Sequence, residues 1–388
     1  MSGEGMRYDA AGIEVLDGRE AVRKRPGMWV GSTGERGLHQ MVFEAVGRAV
    51  NAVLATGGGC VDVTLTPDGG VRVADDGAAV PFEDAGDGSA LGFEALLTSL
   101  RAGPDFDGRH IALVGHCSVG LLVVNALSSR LTAEVRCGGV SRVQEHARGV
   151  ALAPPATAGP AGTSGTTVAF WPDAEIFETT WCSFAVLAER FRQVAFLNRG
   201  LEISLTDERR AVGVRRVRFR FPEGVRDFVA ALDAEMGAAL EPDVIAFERE
   251  DPRMAGTMEV ALMWGGSREE RLRSFANSRL TREGGTHVDG FHDGVAAAVT
   301  AWASRRGLLT AQYSGPDADR IGEGLTAVVS VKLDRPEFLG PIRGLLGGAE
   351  VRACVREAVR EHLGAWFEER PDRAEAIVDR IIRHRYRE

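Results

Sequence analysis

A chain of 388 residues with 44% hydrophobic and 26% charged residues can bury two cores, and its composition is that of a globular protein rather than a disordered or membrane one. Its net charge of −9 gives no overall electrostatic footprint for duplex DNA, and no run of about 18 apolar residues offers a membrane span. The five cysteines are scattered without C-x-x-C spacing, so they read as reduced thiols, and no structural metal is expected. The opening MSGEGMRYDAAG lacks the charged-then-apolar order of a signal peptide, which makes the cytoplasm the expected location. Only Lys24 and Lys332 are lysines, so a site needing a flexible ammonium has those two to draw on.

Residues 1–20 read as an arm, and the Pro-Gly pair within Glu20–Ser32 as a turn. Leu38–Leu54 carries apolar residues at helical spacing and predicts a buried helix. Val61–Leu65 and Val71–Ala74 flank Pro67-Asp68-Gly69-Gly70, a hairpin signal, and the second strand runs into Asp75-Asp76-Gly77. A helical stretch at Gly92–Arg101 leads through a turn-rich segment to Val114–Ser128, read as a glycine-containing loop that opens an apolar helix. Strands are expected at Arg130–Arg136, Ser141–Glu145 and Thr166–Trp171, an Ala- and Pro-rich linker at Ala151–Ser164, and a helix at Phe184–Leu197. From Leu201 the pattern restarts with short strands, helices at Val225–Leu240 and Gly290–Arg305, and a charged amphipathic helix over Glu350–Arg387. The expected organisation is an arm (1–20), a first α+β domain (21–200) and a second (201–388).

Three stretches taken together are specific: Ala21–Val46, Val73–Glu83 and Val119–Ser128 resemble, in order and spacing, the ATPase domain of the gyrase B protein family. That domain belongs to the superfamily shared with heat-shock chaperones, histidine kinases and mismatch-repair proteins. The likeness continues through Ser164–Asp173, Phe196–Gly200, Ser274–Phe291 and Glu323–Phe338, the later of which resemble the family's transducer domain. It implies a Bergerat-type sandwich, with helices on one face of a mixed sheet, followed by a ribosomal protein S5-like transducer. Gyrase B proteins continue into a metal-binding domain that this sequence does not contain. DNA cleavage or DNA binding by this chain alone is therefore not expected.

The resemblance also assigns residues. The family's general-base glutamate matches Glu44, and its magnesium-holding asparagine one turn later is Arg48. A guanidinium has donors only and cannot ligate a hard cation, so Arg48 is expected to pair with Glu44 or to touch phosphate directly. The adenine-reading aspartate matches Asp75, with Gly77 retained and Ala78 and Ala79 in place of the family's arginine and glycine. In the phosphate lid Gly115 and Gly120 are kept, while His116, Cys117 and Ser118 fill the loop, and the lid lysine falls near Asp105. An anion about 4 Å from a phosphate oxygen is unfavourable by roughly 4 kcal/mol at an effective dielectric near 20. Thr166 and Arg136 match pocket residues, Arg343 stands where the transducer lysine would reach the terminal phosphate, and Tyr8 and Ile13 match the arm that crosses to a second copy in the family's dimer.

Four departures on one constellation (Arg48, Asp105, Ser118 and the 341–343 loop) with fold motifs kept imply a gyrase B-like protein whose ATP site has lost its usual magnesium ligand. The expected partners are a second copy through the arm, and gyrase or topoisomerase subunits. Two alternatives stay open. One is an enzyme reusing the pocket for a small-molecule ligand, with Glu44, Arg48 and His116 as its acid–base groups; the other is a working ATP-dependent clamp.

Overall fold

The computed structural model describes residues 18–82, 92–99, 108–109, 111–115, 119–209, 213–235, 244–265, 269–308, 321–340 and 344–383. The first unit opens with α1 (Gly18–Lys24), α2 (Gly27–Val30) and the long α3 (Glu35–Leu54). β1 (Gly59–Leu65) and β2 (Val71–Asp75) form an antiparallel hairpin, closed where the Thr66 amide donates to Gly70 O at 2.9 Å. Then come α4 (Phe93–Thr98), α5 (Leu121–Ala126), β3 (Ser128–Cys137), β4 (Val140–Ala147), β5 (Val150–Ala151), β6 (Ala156–Pro160), β7 (Gly165–Pro172), α6 (Phe184–Leu197), β8 (Leu201–Asp207) and β9 (Arg215–Phe219). These nine strands share one sheet, ordered β5-β4-β3-β7-β2-β1-β8-β9, with β6 paired to β4. Among the described residues all its pairs are antiparallel except β1 with β8, and α3, α5 and α6 pack their apolar sides into the core beside it.

Two expectations change here. The stretch read as a linker contains β6, hydrogen-bonded to β4; its Ala, Gly and Pro composition hides a strand that sits at the sheet's margin, where proline is tolerated. The restart read at Leu201 is also a sheet extension: β8 runs parallel to β1 from Gly59↔Leu201 to Leu65↔Asp207, and β9 closes the edge beyond it. A parallel partner needs a long crossover, which α6 supplies, and sequence distance conceals that pairing.

The second unit contains α7 (Val225–Ala234), β10 (Ile245–Asp251), β11 (Gly256–Trp264), β12 (Arg271–Ala276), β13 (Arg279–Leu280), α8 (Thr286–Arg305), β14 (Leu325–Leu333), β15 (Phe338–Leu339), β16 (Leu345–Leu346), α9 (Ala349–Glu369) and α10 (Pro371–Arg383). Its main sheet runs β10-β11-β14-β12-β13. α8 packs along α9, with Trp302 edge-on to Phe367 at 6.1 Å. The charged C-terminal helix expected as one piece is two, α9 and α10, because Pro371 lacks the N–H a continuous helix needs and serves instead as a first helical residue.

The units meet through aromatic and polar contacts. Phe196 at the end of α6 stacks on Phe221 at 3.6 Å and on Phe228 at 4.5 Å. Asn277 and Ser278, between β12 and β13, adopt left-handed backbone (φ 48° and 64°) and turn their carbonyls toward the first unit. Asn277 O accepts from the Leu113 amide at 2.7 Å, and Ser278 O from Arg190 Nη2 at 2.9 Å. The second unit thereby grips residues 111–115 just before the glycine-containing loop.

Candidate functional site

The site lies where α3 crosses the end of β2. Alternation along β2 buries Val71, Val73 and Asp75 on the helix side and exposes Arg72, so a carboxylate is carried into the core by strand period alone. On α3, Gln40, Glu44, Arg48 and Asn51 succeed one another at three- and four-residue spacing along one side.

Arg48 does not pair with Glu44, one of the two contacts expected of it. Its Nη1 donates to Asp75 Oδ2 at 2.7 Å, and its guanidinium lies over Phe93, 5.0 Å from the ring centroid. The strand delivers a buried carboxylate one helix turn further along than Glu44, and Glu44 is held elsewhere. The Arg48 side chain keeps 15% exposure and that of Asp75 only 2%. Burial raises the Asp75 carboxyl above its ordinary pKa, opposed by the Arg48 charge and by hydrogen bonds from the Gly77 and Thr166 amides. Burial likewise lowers that of Arg48, with Asp75 pulling it back up.

Asp75 Oδ1 accepts from the Gly77 amide at 3.2 Å. Gly77 has to be glycine: a Cβ there would stand 2.4 Å from the carbonyl carbon of Ala52 in α3, where helix backbone cannot yield. Arg136 on β3 supports the same turn from behind, donating to Asp75 O at 3.1 Å and to Thr167 Oγ1 at 3.0 Å. Thr166 faces Asp75 across the β2–β7 pair; it is 1% exposed, and its hydroxyl has no hydrogen-bond partner among the described residues.

Glu44 turns the other way. Its Oε2 accepts from the backbone amides of Val119 (3.0 Å) and Gly120 (3.1 Å), the lead-in to α5, and its Oε1 accepts from Gln40 Nε2 at 2.6 Å. Gly115 packs against this pair, since a Cβ would come within 2.4 Å of Gln40 Nε2 and 2.5 Å of Glu44 Oε1. Asn51 clamps Ala112 with two bonds: its Oδ1 accepts from the Ala112 amide at 2.8 Å, and its Nδ2 donates to the carbonyl at 3.3 Å.

Of the sequence-derived residues, the structure gathers Glu44, Arg48, Asp75, Gly77, Gly115, Gly120, Arg136 and Thr166 around this crossing. His116, Cys117, Ser118, Asp105, Arg343, Tyr8 and Ile13 lie outside the described residues. Sequence reading missed Gln40, Asn51 and Phe93, and also Arg190 and Arg279, which bond the carbonyls of residues 113–115. Gln40 could have been found, being one turn before Glu44; Arg190 and Arg279 act across long sequence separations and carry no local signal.

A helix laid over a mixed sheet, with a glutamate on the helix and an aspartate at a strand end beneath it, is the layout of the GHKL-type ATPase domain. Residues 224–388 match the DNA gyrase B family. The DNA gyrase B protein of Streptomyces coelicolor is 42% identical over 97% of this chain and 57% of its own length, and the novobiocin-resistant gyrase B protein of Streptomyces niveus is 41% identical over 97% and 58%. The chain thus spans a little over half the length of these curated relatives. Among solved structures, the 43K ATPase domain of Thermus thermophilus gyrase B, bound to an aminocoumarin, superposes with a TM-score of 0.80 at 31% identity, covering 95% of each chain. The topoisomerase IV ATP-binding domain of Francisella tularensis gives a TM-score of 0.76 at 28% identity, covering 95% and 96%. The chain belongs to the DNA gyrase B family, of which it carries the ATPase part.

Proposed function

We propose that this is a gyrase B-like protein whose nucleotide site has given up magnesium-ATP hydrolysis and which acts in the cytoplasm through contacts with gyrase or topoisomerase subunits. The observation that carries this reading is the Arg48–Asp75 ion pair at 2.7 Å. The residues present do not fit magnesium-ATP. At the family's metal position stands a group with no lone pair to offer. The aspartate that an adenine amine would need already takes a guanidinium and an amide. Glu44 supports the same reading, because a carboxylate seated on the Val119 and Gly120 amides opposes an incoming phosphate both by occupying donors and by charge.

The test is phosphate release from magnesium-ATP by the purified chain, with Glu44→Ala as background. Turnover indistinguishable from that background supports the proposal; turnover clearly above it sinks it. A second reading, that the pocket still serves a small ligand, draws support from the buried Thr166 hydroxyl beside Asp75, which has no hydrogen-bond partner among the described residues.

A further inference from the structure

We propose that the face of the nine-stranded sheet turned away from α3 holds a second ligand site, built for a small sugar phosphate and lying across the sheet from the Arg48–Asp75 pair. The alternation that carries Val73 and Asp75 toward α3 puts Arg72 and Ala74 on the opposite face. A recess of about 480 Å³ lies there, lined by residues of β3, β7, β2, β1, β8 and β9, and its size is that of a small-molecule site. The lining is polar apart from Ala74 and contains no aromatic ring, so it offers hydrogen bonds to a hydroxyl-rich ligand and no stacking surface to a nucleobase.

One row of residues sets the phosphate position. Strand register aligns Arg72, Thr64, Thr206 and Arg216 across β2, β1, β8 and β9, with neighbouring strands about 4.8 Å apart. Two hydroxyls therefore lie side by side between two guanidinium groups, and all four residues line the recess. Arg216 is folded inward, its Nε donating to Thr206 Oγ1 at 3.0 Å, which leaves the Thr206 proton to give. The Thr64 hydroxyl makes no hydrogen bond among the described residues. Neither Arg72 nor Arg216 pairs with a carboxylate among those residues, whereas Arg218 meets Glu202 at 3.3 Å and Arg136 meets Glu134 at 3.7 Å. Two like charges at the ends of a neutral row are both satisfied by an anion lying between them. A phosphate monoester supplies it, with about two negative charges at neutral pH and oxygens that match the guanidinium fork.

Asp62 decides which end of the ligand goes where. It stands in the next row of the same face, two residues along β1 from Thr64 and so roughly 6–7 Å away. Ser204 Oγ donates to its Oδ1, and the residue stays exposed within the lining. A carboxylate repels phosphate and accepts from hydroxyls, so the phosphate is directed to the Arg72–Arg216 row and the sugar hydroxyls to Asp62. Over the whole lining four arginines face two carboxylates, Asp62 and Glu134, an excess of two positive charges that a dianion cancels. A continuous nucleic-acid backbone is the poorer match, because the chain carries −9 overall and Thr64 and Thr206 are nearly buried between exposed arginines, which admits the end of a small ligand.

Glucose 6-phosphate, glucose and inorganic phosphate are the probes, each titrated into the full chain at fixed ionic strength by calorimetry, with saturation-transfer NMR for weak binding. Glucose 6-phosphate is expected to bind about tenfold tighter or more than either glucose or inorganic phosphate. Arg72→Gln and Arg216→Gln are each expected to weaken its binding about tenfold, and Arg360→Gln, on the exposed side of α9, to leave it unchanged. No binding of glucose 6-phosphate, equal affinity for glucose, equal affinity for inorganic phosphate, or binding indifferent to both Arg72→Gln and Arg216→Gln overturns the inference. So does tighter, Arg72-dependent binding of a short DNA duplex. The comparison of the three probes on the wild type decides the matter even where a variant fails to fold.

Discussion

Replacing Arg48 by methionine keeps a long unbranched stem against Phe93 and deletes the charge that faces Asp75. Removing one partner of a buried ion pair strands the other, at a cost of roughly 3–5 kcal/mol. Asp75 retains the Gly77 and Thr166 amides, so we expect about 3 kcal/mol at neutral pH, the lower end of that range. The loss should depend on pH. Without Arg48 the folded-state pKa of Asp75 rises further above its unfolded value, so the folded protein holds a proton that the unfolded chain has released. Between those two pKa values stability falls as pH rises, by about 1.4 kcal/mol per unit, and below the unfolded value near 3.9 the penalty disappears. Urea unfolding of wild type, R48M, D75N and R48M/D75N at about pH 5 and about pH 7.5 measures both the pH dependence and the coupling. The double variant is expected to recover most of the single-variant loss, because neither charge is then stranded. A cost for R48M below about 1 kcal/mol, unchanged with pH and additive with D75N, would refute the pairing as an energetic feature.

Further consequences follow from packing and titration. Gly77→Ala places a Cβ against the Ala52 carbonyl of α3 and should cost about 2–3 kcal/mol in urea melts, with a wild-type-like result refuting the close approach. Arg190→Met leaves the carbonyls of Leu113, Val114 and Ser278 without their guanidinium donor, for a loss of about 3 kcal/mol. Hydrogen exchange should quicken at the Leu113 amide and stay slow in α9; uniform change would show that the residue does not bridge the two units. His287 is fully buried against Thr281, and burial holds its pKa at about 4. The unfolded chain binds that proton from about pH 6.5 downward, so stability is complete above that pH and falls by up to about 3 kcal/mol by pH 4. His39 and His146, whose pKa values burial also lowers, add to the same trend, and a flat profile over this range would contradict it.

Much of the fold was legible in the sequence. Helical spacing marked α3 and gave α6 its observed ends, and Pro67–Gly70 marked the β1–β2 hairpin. What escaped was of two kinds. Strands of weak composition, such as β6, form because a neighbour offers a free edge, which no local pattern records. Parallel addition of β8 to β1 joins residues far apart in sequence, and the break there looked like a new unit. At the site, spacing rightly put Glu44 and Arg48 on one side of a helix, but the pair between them, one of the two contacts expected of Arg48, does not form. Proximity along a helix is necessary for contact, but the deciding partners come from β2 for Arg48 and from the loop before α5 for Glu44. That the Thr166 hydroxyl has no hydrogen-bond partner among the described residues could be known only once the strand register placed it beside a carboxylate already in use.

The most direct test of the central claim is calorimetric titration of magnesium-ATP into the purified chain, with Arg48→Asn measured alongside. No detectable binding by the wild type is expected, because Arg48 and Glu44 occupy the groups that the nucleotide would need. Stoichiometric, magnesium-dependent binding by the wild type would contradict it.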